Sequence, residues 1–308
     1  MNHQKFPRVL SALALLCAFL LVFSACGKDS DSDSAYSAIS EDSASEAENP
    51  AASSSEASSE VSSDEPSSES SSDPAPSGTD AAPGLVAESA RVDASYFDDA
   101  VFVGDSVSLK LEYYNVATGV MGNAKFLTSG SLGSNNALWD VSEESVHPSY
   151  QGEKMRIEDA IPLTGAKKVY IMLGMNDIGA YGVDASVESF QTLIGKILEK
   201  TPDATIYVQS VTPKAEGTEW ETLNNQTITE YNEKLLAVCE ENGWYYLDVA
   251  SVMHDDNGFL IADYCSDPGP DGMGIHFTDS GCQTWADYLY THTAPEKAGA
   301  ASPDTERI

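Results

Sequence analysis

From residue 90 onward the chain alternates short apolar runs with amphipathic stretches, and this alternation limits what it can fold into. Residues 101–103, 124–129, 167–173, 205–211 and 244–252 read as strands, rich in β-branched and aromatic side chains. Between them lie helical patterns at 110–118, 187–200, 224–242 and 279–292, with a short one at 155–161. Val187, Phe190, Ile194 and Ile197 recur at helical spacing and Thr201-Pro202 stops the pattern. Ile228, Tyr231, Leu235 and Val238 line one face of the next helix, which Gly243 closes. Trp285, Tyr288 and Leu289 form the apolar side of the last. Strands alternating with helices predict an α/β fold of three layers, with a mainly parallel central sheet and helices on both faces. About 200 residues suffice for one such domain with a sizeable core.

The first ninety residues are of another kind. Lys5 and Arg8 precede an apolar run over 9–23, followed by Ser24-Ala25-Cys26-Gly27. A basic start, an apolar stretch and small residues before a cut site describe an export signal. The run is short for a membrane span, which needs roughly 20 residues. Cysteine directly after Ser24-Ala25 resembles a bacterial lipobox, with Phe23 a less usual residue at its first position. That resemblance implies cleavage before Cys26, a lipid on its sulfur and new N-terminus, and a cell-surface protein anchored to the membrane. Plain secretion and a retained anchor helix are the alternatives.

Residues 28–90 are Ser, Asp, Glu, Ala and Pro with almost no large apolar side chains, too few to offset the entropy of ordering. The expected organisation is a signal peptide over 1–25, an acidic tether over 26–90, the folded domain over 91–294 and a flexible tail over 295–308. The formal net charge of -33 offers no basic patch for phosphates, which excludes nucleic acid as the expected partner. Oligomeric state is not legible. Of five cysteines, Cys17 lies in the signal and Cys26 is the lipid site, leaving Cys239, Cys265 and Cys282, an odd number. Cys239 sits in an apolar helical run and reads as core. Cys265 and Cys282 flank His276 and are the candidate bridge, although Cys282 also reads as a position on the final helix.

Chemistry concentrates in four loops. The first strand ends abruptly in Gly104-Asp105-Ser106, which would lift a hydroxyl out at the carboxyl end of the sheet, where open α/β sheets bind ligands. Alone, the tripeptide is equally a turn and helix cap. Gly133 ends Thr128-Ser-Gly-Ser-Leu-Gly133, Asn176 lies in Gly174-Met175-Asn176-Asp177, and His276 lies in Gly274-Ile275-His276-Phe277-Thr278 just before the last helix. In order and placement these four blocks resemble the GDSL, or SGNH, hydrolase family, with Val107 where the family name has Leu. The resemblance covers nearly the whole folded part and implies a flavodoxin-like SGNH hydrolase fold and a serine esterase or lipase-like activity.

The roles follow from elementary chemistry. A serine hydroxyl needs an adjacent base, and His276 can take its proton and return it to a leaving group. The Ser106 N–H, the Gly133 N–H and the Asn176 amide would hold the oxyanion that forms. The family usually has Asp three residues before its histidine, to orient the ring. Here that position is Met273. Asp271, five residues before His276, is the first choice, with Gly272 and Gly274 bending the loop back; Asp267, Asp263 and a backbone carbonyl are the other choices.

The expected function is therefore a surface serine esterase acting through an acyl-serine. Its expected substrate is an O-acetyl or other short acyl ester on a polysaccharide, with lipid esters second, and no metal or organic cofactor takes part. A carbohydrate-binding module with a disabled pocket, supported only by Met273, and an O-acyltransferase are the alternatives. No His/Cys cluster has zinc spacing and no phosphate-binding glycine loop follows a strand. Asp255-Asp256-Asn257-Gly258 lacks the spacing of a calcium loop and reads as a turn.

Overall fold

The computed structural model describes residues 84–294. The signal segment, Cys26, nearly all of the tether and the C-terminal tail lie outside the described residues. The strands are β1 (Gly84–Leu85), β2 (Ala100–Gly104), β3 (Lys125–Thr128), β4 (Ser149–Tyr150), β5 (Glu153–Lys154), β6 (Lys168–Met172), β7 (Thr205–Gln209) and β8 (Tyr245–Leu247). The helices are α1 (Ser106–Thr118), α2 (Ser134–Ala137), α3 (Ile157–Thr164), α4 (Met175–Tyr181), α5 (Val183–Lys200), α6 (Asn225–Asn242) and α7 (Asp279–Thr291).

Six strands form one sheet in the order β1-β8-β7-β6-β2-β3, and every pairing in it is parallel. Leaving aside the edge strand β1, the chain order across the sheet is that of a flavodoxin-like doubly wound fold. In that topology the winding reverses between β2 and β6, and ligands bind at the carboxyl ends of those two strands. Ser106 directly follows β2 and Asn176 follows β6.

Both sheet faces are covered, which is why β2 is buried along its whole length. Successive side chains in a strand point to opposite faces, so Val101 and Val103 join Val169, Ile171, Ile206 and Val208 on one side. There they pack with Ile161 of α3, Phe190 and Ile194 of α5, and Leu235 of α6. On the other side Phe102, Tyr170 and Tyr207 pack with Leu111 of α1 and with Trp285 and Leu289 of α7. Phe126, Phe102, Tyr170, Tyr207 and Tyr245 are direct neighbours across five strands. Their rings stack in one ladder with centroid separations of 5.2, 4.8, 4.4 and 5.4 Å. The Trp285 indole N–H donates to buried Gln209 Oε1 at the end of β7 (2.8 Å), which fixes α7 against the sheet.

Several elements differ from the sequence reading, which does not include the β4–β5 hairpin or the short helices α2 and α4. Gly84–Leu85 is an edge strand, with the Val86 N–H donating to Tyr246 O (2.9 Å) and the Val86 side chain buried. The folded part thus reaches into the stretch that average composition assigns to the tether, because two or three residues suffice to extend a parallel edge. Helix α1 begins at Ser106 itself, since Asp105 caps it through Oδ1 to the Val107 N–H (2.9 Å). The last strand stops at Leu247, and residues Val249–Val252 form a 3₁₀ turn.

The aromatic ladder makes one side chain a test of the core. Phe102 is 1 % exposed and stacks on both neighbours, so Phe102→Ala is expected to lower the unfolding free energy by about 3–5 kcal/mol, read by urea unfolding.

Candidate active site

Ser106 is the first residue of α1, and the first N–H groups of a helix have no partner within it. Its Oγ lies 2.9 Å from His276 Nε2, and His276 Nδ1 lies 2.7 Å from Asp267 Oδ2. An ionised carboxylate only accepts, so Nδ1 carries the proton toward Asp267 and Nε2 faces the serine hydroxyl as an acceptor. The three groups form one hydrogen-bonded chain drawn from β2–α1 and from the loop before α7.

Asp267, not Asp271, holds the imidazole. Asp271 is exposed and lies outside the hydrogen-bonded chain, and Asp263 contributes its carbonyl, which accepts from Thr278 Oγ1 (2.8 Å). The reason is strand pairing. Cys265 and Phe277 make an antiparallel bridge, and the Ser266 N–H donates to His276 O (2.8 Å). The intervening loop folds back on itself, with the Gly274 N–H donating to Asp267 O (3.0 Å). Asp267 therefore faces His276 across a hairpin, although nine residues separate them in the chain. Gly274 has φ +68°, and a Cβ there would sit 2.1 Å from Thr218 Oγ1. The loop bends as the sequence suggests, around a different carboxylate.

Asp267 is well supplied with donors. Oδ1 accepts from the Ile275 and His276 N–H groups (3.1 Å each), and Oδ2 accepts from the Met273 N–H (3.3 Å) as well as from the imidazole. Burial works against its charge, but the hydrogen bonds from His276 outweigh burial and hold the carboxyl below its ordinary range.

Asn176, the second residue of α4, spans the two remaining loops. Its Nδ2 donates to Leu132 O (3.0 Å) and to Asp105 Oδ2 (3.2 Å). The amide expected to hold an oxyanion thus ties the Ser106 turn to the Gly133 loop, with both of its N–H groups engaged by the protein. The Gly133 N–H donates to Asn136 Oδ1 (2.9 Å) within its own turn, so this expected donor is engaged by the protein.

Two acidic residues beside the expected ones organise these loops. Asp177 is buried; its Oδ2 accepts from the Ser134 N–H (2.8 Å) and its Oδ1 from the Asn135 N–H (3.0 Å). A Cβ at Gly133 would sit 2.6 Å from Asp177 Oδ1. Glycine is therefore needed at 133 to admit this carboxylate, rather than only to admit a ligand. Asp105, 3 % exposed, caps α1 with one oxygen and accepts from Asn176 with the other. Burial pushes its carboxyl up to about 6, against the hydrogen bond from Val107 and the nearby His276. Their position directly before Ser106 and directly after Asn176 was the only sequence signal for either.

Elsewhere, Cys239, Cys265 and Cys282 are buried free thiols, so the candidate bridge between Cys265 and Cys282 is not formed. Burial pushes the Cys282 thiol up to about 12. Asp255 Oδ1 closes a turn onto the Asn257 and Phe259 N–H groups. Among the described residues no cluster of three His, Cys, Asp or Glu is arranged to hold a metal ion, and no helix is long and apolar enough to cross a membrane.

Residues 152–284 match the GDSL-like Lipase/Acylhydrolase family, a span that includes Asn176, Asp267 and His276 and begins after Ser106 and Gly133. Among solved structures, a GDSL-like lipase from Bacteroides thetaiotaomicron is similar at 16% identity, covering 63% of this chain and 87% of its own, with a TM-score of 0.47. A member of the lipolytic G-D-S-L family from Veillonella parvula is similar at 14% identity, with 62% and 94% covered and a TM-score of 0.42. The C-terminal catalytic domain of Streptococcus pneumoniae peptidoglycan O-acetyltransferase A is similar at 13% identity, with 63% and 92% covered and a TM-score of 0.41. No curated protein matches the chain.

The raised carboxyl of Asp105 has a consequence for stability. Its folded pKa of about 6 lies above the unfolded value, so between roughly pH 4 and 6 the folded state binds more protons. Stability contributed below that window is lost as pH rises through it, by about 2–3 kcal/mol. Urea unfolding at pH 4 and pH 7 is expected to show this fall in the parent and a smaller one, by that amount, in Asp105→Asn.

Proposed function

We propose that this chain, residues 152–284 of which match the GDSL-like Lipase/Acylhydrolase family, is a serine esterase that works through an acyl enzyme on Ser106. The observation that carries this reading is the continuous chain Ser106 Oγ–His276–Asp267, at 2.9 and 2.7 Å. Ser106 Oγ attacks the ester carbonyl carbon as its proton passes to His276 Nε2. Asp267 stabilises the imidazolium that results without taking the proton itself. The carbonyl oxygen becomes an oxyanion near the Ser106 N–H, and the Asn176 amide turns to it once it gives up its hydrogen bond to Leu132 O or to Asp105 Oδ2. The Gly133 N–H joins them once Asn136 gives up its hydrogen bond. Collapse breaks the ester C–O bond, and the proton on Nε2 goes to the departing alkoxide. Water, deprotonated by the same nitrogen, then releases the acid.

The substrate we propose is a short acyl ester on a polysaccharide, met outside the cell. Its first support is the N-terminal sequence, with an export pattern and Cys26 in lipobox-like context ahead of an acidic tether. Its second is a pair of half-exposed tryptophans: Trp139 follows α2, and Trp220 lies in the segment that packs on the His276 loop. Flat, partly apolar indole faces suit sugar rings better than flexible acyl chains. Met273, the one feature that favoured a disabled pocket, has lost its force, since Asp267 fills the missing place.

Mixing enzyme with a chromogenic short-chain aryl ester is expected to give a burst of about one alcohol equivalent per enzyme, then slower turnover. Ser106→Ala should abolish both phases. A fully active Ser106→Ala would overturn the mechanism, and a preference for long acyl chains over acetylated saccharides would overturn the substrate class.

A further inference from the structure

One fully buried side chain near the site has no part in the mechanism above. Lys214 is 0 % exposed, although lysine is rarely buried without a paired charge. Its Nζ donates to Met273 O (2.6 Å) and lies 4.7 Å from the centre of the Trp220 ring. The next residue, Ala215, donates its N–H to Gly274 O (2.8 Å). Lys214 and Ala215 thus take up two successive carbonyls of the loop that joins Asp267 to His276. The N–H groups of Met273, Ile275 and His276, on either side of these carbonyls, are the ones that grip the Asp267 carboxylate.

The charges around Lys214 point the same way. Burial lowers its pKa, while the negative groups Asp267 and Glu219, with Cys265, raise it. Asp267 in turn faces His276 and Cys265, and the imidazole faces Asp267, Ser106 and, more remotely, Asp105. Asp267, which pairs with His276, is thus also the first of the negative groups acting on Lys214, across the loop that the ammonium holds at Met273 O. Glu219 is exposed and its Oε1 is already held by the Asn225 N–H (2.7 Å), so solvent weakens its share.

We propose that Lys214 is a positioning residue for the proposed base, fixing the Met273–Gly274 bend and balancing the Asp267 charge beside His276. This rests on the esterase reading for its consequence in turnover but not for its consequence in titration. With Lys214 made neutral, Asp267 acts uncompensated on the ring, and the ring keeps its proton to higher pH. A methionine of similar length would have filled the same space without the ammonium.

The test compares the full-length chain with Lys214→Met and Lys214→Gln. The first removes charge and donor, and the second keeps an amide donor without charge. His276 is followed by NMR titration of its ring, identified by loss of the signal in His276→Asn, and turnover is followed with the aryl ester across pH. The expected result in both variants is an upward shift of the His276 titration by about half a unit or more. The acid limb of kcat/KM should move with it, and kcat should fall several-fold with KM little changed.

An unchanged or lowered titration in a folded variant would overturn the proposal. Failure of both variants to fold would also overturn it, by making Lys214 a residue of the fold rather than of the site. Inactivity of the parent enzyme on every ester would count against the esterase reading alone, since the titration shift needs no turnover.

Discussion

The arrangement of the site depends on one hydrogen bond, the 2.7 Å contact between Asp267 Oδ2 and His276 Nδ1. It fixes the tautomer of the ring, and so decides that Nε2 faces Ser106 as an acceptor. The bond in turn depends on backbone pairing. The Cys265–Phe277 bridge sets two extended segments side by side, and Asp267 and His276 lie just inside it. The cluster of N–H groups around Asp267 then keeps its carboxylate charged and aimed. Lys214 belongs to this arrangement because it grips the same loop from behind.

The sheet supplies the other half of the geometry. Ser106 follows β2 and Asn176 follows β6, and these adjacent parallel strands flank the point where the winding reverses. Side chains far apart in the chain are thereby brought to one sheet edge without special contacts. Fine placement is done by buried acids. Asp105 links the cap of α1 to the Asn176 amide, and Asp177 links the residue after Asn176 to the start of α2. A carboxylate that caps a helix and also orients a neighbouring side chain locks two loops to each other. The raised carboxyl of Asp105 is the energetic cost of that burial.

Much of this was legible in the sequence, and for a physical reason. Strands such as 168–172 and helices such as 183–200 bury one or both faces, so their apolar periodicity is strong. Ser106, Asn176 and His276 stood at the ends of such elements, in loops whose small residues had little structural purpose of their own. What stayed hidden depended on pairing between segments. Asp271 was the nearer carboxylate along the chain, but distance along a hairpin loop says little about which residues face each other. Asp267 opens Asp267-Pro268-Gly269, a turn signal that marks the start of a fold-back more plainly than Asp271 does. Gly133 shows the same limit, since the group that requires a glycine there, Asp177, arrives from forty-four residues further along the chain. Lys214 reads as one more charge in a loop until its burial is seen.

The central claim is that Asp267 orients His276, and turnover of Asp267→Ala set against Asp271→Ala on one aryl ester tests it most directly. The account predicts that Asp267→Ala lowers kcat by about 10³-fold or more with the fold intact, as loss of the orienting carboxylate does in serine triads, while Asp271→Ala stays within about two-fold of the parent. A near-normal kcat in Asp267→Ala, with the large loss falling on Asp271→Ala, would contradict it.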